Sequence, residues 1–410
     1  MQAQYHVKNV SPEAFDAFVR EHPNGLVFQT AGYNRAMLTH GFTKSDYLAL
    51  ADAEGNIAAG SAFYMKPLPK PFHFFYYAIA KHAFTVDYEN QALFEKLLEE
   101  TRAYLSKQGV ILLTFDLPVD EGHEDFYRRL EALGCETKVF DKVNNNNIIY
   151  RHNSVLDLDG DIKQILKRMK GNSRRAMNKT LDFGYEIETA GMERFDEFYD
   201  LLNIAAERGD FEIDDRESMR HKVAGILEIP GTEMWFVRLH GEKTAEFYRG
   251  EREKALKVIR REEKKNHPNE NRLREERNFL ASTERSIEEM EALSKEHPEG
   301  IVLSGCMIAD VGQKITYMYA GSKDDYRNYF PNYHMIYKMI ERSVEKGYEV
   351  LDLSGTQSDE NPGGLASFKL SLGARTLAFS GDIQMVCKKP WGNLFKKLLQ
   401  KRREKQYEDE

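Results

Sequence analysis

Cysteine is scarce: three in 410 residues, at Cys135, Cys306 and Cys387, scattered and odd in number. That pattern offers neither a disulfide framework nor a cysteine-rich metal site, and it fits a reducing compartment. No run approaches the roughly 20 apolar residues of a membrane-spanning helix. The opening residues, MQAQYHVKNVSPEAF, lack the basic start and apolar stretch of a secretory signal, so a cytoplasmic location is expected. The twelve histidines show neither HExxH spacing nor a cysteine partner, and no metal is expected. No glycine-rich R/Q-x-x-G-x-G/A loop follows a strand-like run. Gly363-Gly364 has the wrong spacing for a loop whose amides hold a pyrophosphate. The net charge of −8 argues against a generic nucleic-acid binder.

What is present is a long α/β pattern, enough for two globular domains. Strand-like runs fall at residues 5–10, 45–51, 57–65, 73–77, 110–115 and 146–150. Helical periodicity covers 12–21, 32–39, 90–107 and 124–133. The pattern then restarts, with strands at 155–158, 185–189, 234–239, 301–308, 314–319, 349–353 and 375–386, and helices at 161–169, 173–183, 192–206 and 333–346. A duplicated α/β unit follows: residues 1–150, then 151–240 with 300–387, in an arrangement where the last strands can return to the first unit.

Residues 241–299 interrupt the second unit. From 251 to 297 they are highly charged, and they break at His267-Pro268, where proline cannot sit inside a helix. A helix of about 25 residues is roughly 37 Å long, so two antiparallel helices make an arm. Ala255, Leu256, Ile259, Leu273, Phe279, Leu280, Ile287, Met290 and Leu293 supply a thin apolar seam between them. Such an arm suggests a large partner. The tail, residues 388–410, is basic and amphipathic. Leu394, Phe395, Leu398 and Leu399 share a helical face, flanked by Lys396, Lys397, Lys401, Arg402 and Arg403, with Trp391 at the head. It reads equally as a helix lying on an anionic membrane surface or as one docked on its own domain.

The segment 315–357 is the densest in candidate chemistry. Tyr317 and Tyr319 alternate along a strand and are expected on one face. The strand 349–353 ends at Ser354-Gly355, a strand end of the kind where ligands sit in α/β proteins. The strings YMYAGS (317–322), YRNYFPNY (326–333), KGY (346–348), LDLSG (351–355) and GGLASFK (363–369) resemble those of the Fem family of peptidoglycan bridge-forming aminoacyltransferases. In order, Val27-Phe28-Gln29, LTFDLP (113–118), SRRAMNKTLDFG (173–184) and AAERGDF (205–211) resemble further family segments. The resemblance spans nearly the whole chain. It departs at AKHAFTVDY (80–88), where the family has [RK]-G-P-V-x-D, and at Tyr33, where tryptophan is usual.

The resemblance implies a mixed α/β fold of two GNAT-like domains and, in the arm-bearing members, a coiled-coil hairpin inserted in the second. It implies aminolysis of an aminoacyl-tRNA ester by a stem-peptide amine, with aminoacyl-tRNA as co-substrate and no cofactor. Lys369 matches the lysine at the reacting centre, where an ammonium can stabilise the oxyanion. Arg208 matches a phosphate-binding arginine, and Arg35 lies at the place of a second one. Asp116, at a strand end, can accept the amine's proton, position the amine, or cap the turn before Pro118. Asp382 occupies an acidic family position, and Tyr317 and Tyr319 are cleft residues. The basic face of Arg174, Arg175 and Lys179 reads as a solvated helix surface. The implied activity is addition of alanine, serine or glycine to the stem peptide or growing bridge of a peptidoglycan precursor, lipid II or UDP-MurNAc-pentapeptide. The alternatives are an acyl-CoA-dependent N-acyltransferase and a non-catalytic tRNA- or partner-binding protein on the same fold.

Overall fold

The computed structural model describes residues 5–137, 151–209, 211–356, 363–379 and 381–398. The strand expected at 146–150 lies outside them. Two α/β units, each built on a seven-stranded sheet, carry the chain. The first contains β1 (His6–Lys8), β2 (Lys44–Ala51), β3 (Ile57–Pro67), β4 (Tyr76–Ala80), β5 (Val110–Phe115) and β6 (Cys135–Thr137), with α1 (Pro12–Glu21), α2 (Ala31–Ala36), α3 (Gln91–Lys107) and α4 (Glu124–Ala132). The apolar run VILLTF of β5 is buried at every position, as a central strand covered on both faces requires. It pairs parallel with β4 across α3. Asn90 caps α3 by accepting from the Leu93 amide, and Leu93, Phe94, Leu97, Leu98 and Leu105 line its buried stripe. The strand expected at 73–77 begins later, at Tyr76. The preceding PFHFF instead closes a turn, with Phe72 N–H donating to Pro69 and Phe75 N–H to Phe72.

The second unit contains β7 (His152–Asp157), β8 (Tyr185–Ala190), β9 (Thr232–Leu239), β10 (Ile301–Asp310), β11 (Ile315–Ser322), β12 (Val350–Thr356) and β13 (Arg375–Ala378). Its sheet order is β13-β7-β12-β11-β10-β9-β8. Its helices are α5 (Ile162–Arg168), α6 (Gly171–Leu181), α7 (Phe195–Gly209), α8 (Arg216–Leu227), α9 (Gly241–Glu263), α10 (Glu270–Glu296), α11 (Pro331–Glu345) and α12 (Gly364–Ser371). One face buries Ile165, Met177, Ile308, Met335 and Ile340 under α5, α6 and α11. The other face joins the first unit. Phe198, Leu202, Val223 and Met307 share one cluster with Phe15, Val19, Tyr33 and Met37. The sequence pattern showed neither α8, capped by Asp215, nor the short α12.

The run 375–386, expected as one strand, is two. After β13 the chain leaves the second sheet, and β14 (Ile383–Val386) pairs between β5 and β6 of the first. The cause is Gly381, at φ 77°, a left-handed conformation that ends an extended run at little cost only in glycine.

The arm is longer at its root than the charge pattern indicated, because α9 starts at Gly241. Glu263 ends α9, and Asn269 caps α10, with Pro268 in the break. Ala255, Ile259, Leu273, Ile287, Met290 and Leu293 are buried, but Phe279 is 41% exposed and does not join the seam. At the root, Ala245, Tyr248, Ile287, Met290 and Leu293 pack with Phe183, Leu239, Leu303 and Tyr329. The arm's base is therefore part of the second unit's core. Residues 391–398 form a helix seated on the first unit through Phe395 against Tyr77, with Trp391 against Phe72 and Phe75. Among the described residues no helix is long and apolar enough to cross a membrane.

Candidate active site

The site forms where β11 and β12 part. They pair in parallel only at Ile315–Leu351 and Thr316–Asp352. Beyond that both strands break register: β11 against β10 between Cys306 and Ile308, and β12 against β7 between Asp352 and Gly355. Ser354 takes the left-handed φ of 63°. Its amide donates to Asp352 Oδ1 at 2.7 Å and its hydroxyl to the Tyr317 carbonyl at 2.5 Å. The Ser354 and Gly355 carbonyls accept instead from a side chain, Lys369 Nζ, at 3.1 and 2.6 Å, which supplies the donor that a buried carbonyl needs.

Lys369 lies in α12 and is 3% exposed. Burial pushes its ammonium down to about 8, opposed by the nearby Asp352 carboxylate. Phe368 packs edge-on against Tyr333 at 5.2 Å. Ser173, at the start of α6, donates to Ser371 Oγ at 2.7 Å. These contacts fix the helix that presents the lysine.

Tyr317 and Tyr319 do not share a face. Tyr317 and Ala320 pack with the cluster under α11, and Met318 and Tyr319 with the cluster between the units. The register shift in β10–β11 gives β11 one extra residue, and such a bulge reverses the alternation beyond it. Tyr317 thus lies on Lys369's side of the sheet. The Tyr319 hydroxyl is hydrogen-bonded to that of Tyr33, whose phenol burial raises.

Arg208 ends α7. It donates to the Ser322 carbonyl at 3.1 Å, to Ser322 Oγ at 3.3 Å and to Asp324 Oδ1 at 2.8 Å. It also lines an open cleft of about 650 Å³ with Ile204, Glu207, Lys323, Asp324, Asp325 and Arg327. Gly321 allows this placement: a Cβ there would lie 2.0 Å from the Leu201 carbonyl of α7. Asp324 is an exposed partner that an incoming phosphate can replace at small cost. Arg35 is exposed in the last turn of α2, where its charge reaches Glu13 and Asp16.

Asp116 follows β5 and is 3% exposed. Its Oδ1 accepts the His82 amide at 2.7 Å. Its Oδ2 lies 2.6 Å from His82 Nδ1, out of line for a straight hydrogen bond. Ile383 pairs with Phe115, so Asp382, buried at 1% exposure, stands one step on, beside Asp116. Gly355 pairs with Asn153, and Asn153 with Leu377, so two strand spacings, roughly 10 Å, separate Lys369's anchor from the strand that leads into the Phe379–Asp382 crossing. Lys369 and Tyr317 therefore stand at one end of the second sheet. Asp116 and Asp382 stand where the chain crosses from that end to the first sheet, and Tyr319 reaches the seam through Tyr33. His82 was not among the sequence candidates, because the departure at 80–88 hides it. The signal that could have found it is a histidine where the related turn carries glycine.

A buried ammonium near one carbonyl-binding position and carboxylates across a seam suit acyl transfer to an amine. The model of the FemAB family matches residues 10–398. The lipid II:glycine glycyltransferase of Staphylococcus haemolyticus (strain JCSC1435) is 29% identical over 407 residues, 95% of each chain. That of Staphylococcus aureus (strain USA300) is 26% identical over 406 residues, again 95% of each. A crystal structure of FemX aligns with a TM-score of 0.76 at 24% identity, covering 95% of this chain and 99% of that one.

Proposed function

This chain belongs to the FemAB family, and on that premise we propose that it is an aminoacyltransferase that extends the stem peptide of lipid II, with aminoacyl-tRNA as donor. The observation that carries the reading is the buried Lys369 ammonium where β11 and β12 part. The aminoacyl ester carbonyl sits against that ammonium, which stabilises the oxyanion as the amine attacks. Asp116, with Asp382 beside it, receives the amine on the opposite side of the seam. Arg208 and Arg35 take anionic groups of the precursor, and Tyr317 and Tyr319 wall the two sides. The relatives are named for glycine, which makes glycine the first donor to test, with serine and alanine next. The reading is tested by supplying lipid II with either aminoacyl-tRNA or acyl-CoA. Transfer from tRNA alone is expected, and transfer from acyl-CoA alone would replace it.

The enzyme works at the cytoplasmic membrane face, since its acceptor is lipid-linked. Phe72, Phe74, Trp391, Leu394 and Leu398 are exposed, and Phe72 and Phe75 meet Trp391 where the helix 391–398 reaches the 68–75 turn. Lys70 and Lys397 lie in these two segments, and Lys388 and Lys389 just before the helix. Apolar side chains among lysines fit an anionic lipid surface. Sedimentation with phosphatidylglycerol vesicles should pull the protein down at low salt. F74S together with W391S should reduce that fraction several-fold, and unchanged sedimentation would remove this surface from the account.

The arm braces the tRNA. Cutting all of residues 251–297 would strip Ile287, Met290 and Leu293 from the core around Tyr329. Replacing only residues 252–284 by a short linker should leave the melting midpoint nearly unchanged and raise KM for aminoacyl-tRNA about tenfold, the loss of roughly 1.4 kcal/mol of contact. An unaltered KM would assign the arm to another partner.

A further inference from the structure

We propose that His82 is the proton acceptor for the attacking amine, with Asp116 holding its ring. This role rests on the aminoacyl transfer described above and assigns a residue that the sequence motifs do not. His82 and Phe84 adopt φ of 43° and 76°, a region that side chains with a Cβ seldom enter. The turn is held there from several directions. Asp116 accepts the His82 amide at Oδ1, and its backbone carbonyl accepts the Ala83 amide at 2.8 Å. Gln29 Nε2 donates to the His82 carbonyl at 2.6 Å and the Phe84 carbonyl at 3.3 Å, while Gln29 Oε1 accepts from Thr85 Oγ1 at 2.8 Å. A glycine would adopt this backbone without such support. The chain keeps the conformation and adds an imidazole, and strain of this kind concentrates at functional sites.

The ring is 94% removed from solvent with its residue, at 6% exposure. Its edges meet Phe28 at 5.2 Å and Phe379 at 5.8 Å. Phe28 comes from the first unit, and Phe379 from the segment crossing between the sheets, so the imidazole stands at the seam. The carboxylate oxygen 2.6 Å from Nδ1, though off the line of a straight hydrogen bond, favours a proton on that nitrogen and leaves Nε2 as the acceptor. Among the described residues Nε2 has no hydrogen-bond partner, and it is not among the fully buried unpaired atoms. The charged and titratable groups around the pair are Asp116 itself, Asp382 beside it, and the phenols of Tyr33, Tyr64 and Tyr88, on all three of which the Asp116 charge acts.

The step balances within the established chemistry of aminolysis. The acceptor ammonium gives one proton to Nε2, and its lone pair forms the C–N bond to the ester carbonyl carbon. The carbonyl electrons move onto oxygen beside Lys369. Collapse breaks the C–O bond to the ribose, the amine's second proton goes to the leaving ribose oxygen, and the imidazolium returns its proton to solvent. The Asp116 carboxylate beside Nδ1 stabilises the imidazolium.

The test uses the full-length enzyme with lipid II and aminoacyl-tRNA, and follows kcat against pH for wild type, His82→Gln and His82→Gly. The glycine variant suits the left-handed backbone and keeps the fold. Loss of kcat of about 10²-fold or more is expected in both, with both KM values retained and the fall in kcat toward acid pH abolished. Added imidazole should restore part of the rate in His82→Gly alone. Wild-type kcat in either variant, or a reduced kcat with the acid limb intact and no rescue, would overturn the role. A wild-type enzyme that transfers nothing from aminoacyl-tRNA would instead overturn the proposed function on which it rests.

Discussion

Lys369→Ala should lower kcat by about 10²–10³-fold, the effect of removing one fixed donor from a developing oxyanion, while KM for each substrate changes little. The reason is differential: the ammonium meets more negative charge in the tetrahedral state than in the ester. The Ser354 and Gly355 carbonyls, which Nζ now bridges, would lose their donor, so the melting midpoint must be measured alongside. Lys369→Met, which fills the volume without the charge, should show the same kinetic loss. The pH dependence follows from burial, which pushes Lys369 down to about 8. Below that the side chain is charged and works as the oxyanion's partner. As pH rises through it the proton leaves, so kcat falls on the alkaline side. Asp352 opposes the effect of burial, and Asp352→Asn should move the alkaline limb to lower pH. A wild-type rate that is flat across pH 8, or a Lys369→Met enzyme at full rate, would remove the lysine from the reacting centre.

The second large effect is on the fold that aims Arg208. Gly321→Ala places a methyl group 2.0 Å from the Leu201 carbonyl and 2.7 Å from the Leu202 amide nitrogen. Both are backbone atoms, so α7 must move. The cost is about 3 kcal/mol, the upper end for overpacking, which is a fall of roughly 3–4 °C in melting midpoint for a chain of this length. Moving α7 also withdraws Arg208 from Ser322, so KM for the precursor should rise, as it should in Arg208→Ala. Gly250→Ala, whose added Cβ meets nothing within 4 Å in α9, is the matched control and should be neutral or slightly stabilising. A Gly321→Ala protein with a wild-type midpoint would mean that α7 does not press on β11 as described.

Much of this was legible in the chain itself. Period-2 and period-3.6 runs located most strands and helices, and Pro268 located the arm's break. The resemblance carried Lys369, Arg208 and Asp116. What it concealed depends on tertiary geometry. One extra residue in β11 sends Tyr317 and Tyr319 to opposite faces, although their spacing predicts the same face. Gly381 turns an apparently continuous strand into a crossing that sets Asp382 beside Asp116. His82 sits in a turn that departs from the family pattern, and its significance lies in a partner 34 residues away in sequence. Tyr329, within YRNYFPNY, serves the arm's root by donating to Glu289 of α10 at 2.5 Å, so part of that motif anchors the insertion rather than the cleft.

The most direct test of the account is tandem mass spectrometry of the stem peptide after incubating the full-length protein with lipid II and glycyl-, seryl- or alanyl-tRNA. The account predicts one added residue in amide linkage to the side-chain amine of the stem peptide, present with wild type and nearly lost with Lys369→Met. An unmodified stem peptide with every charged tRNA, or undiminished product from Lys369→Met, would contradict it.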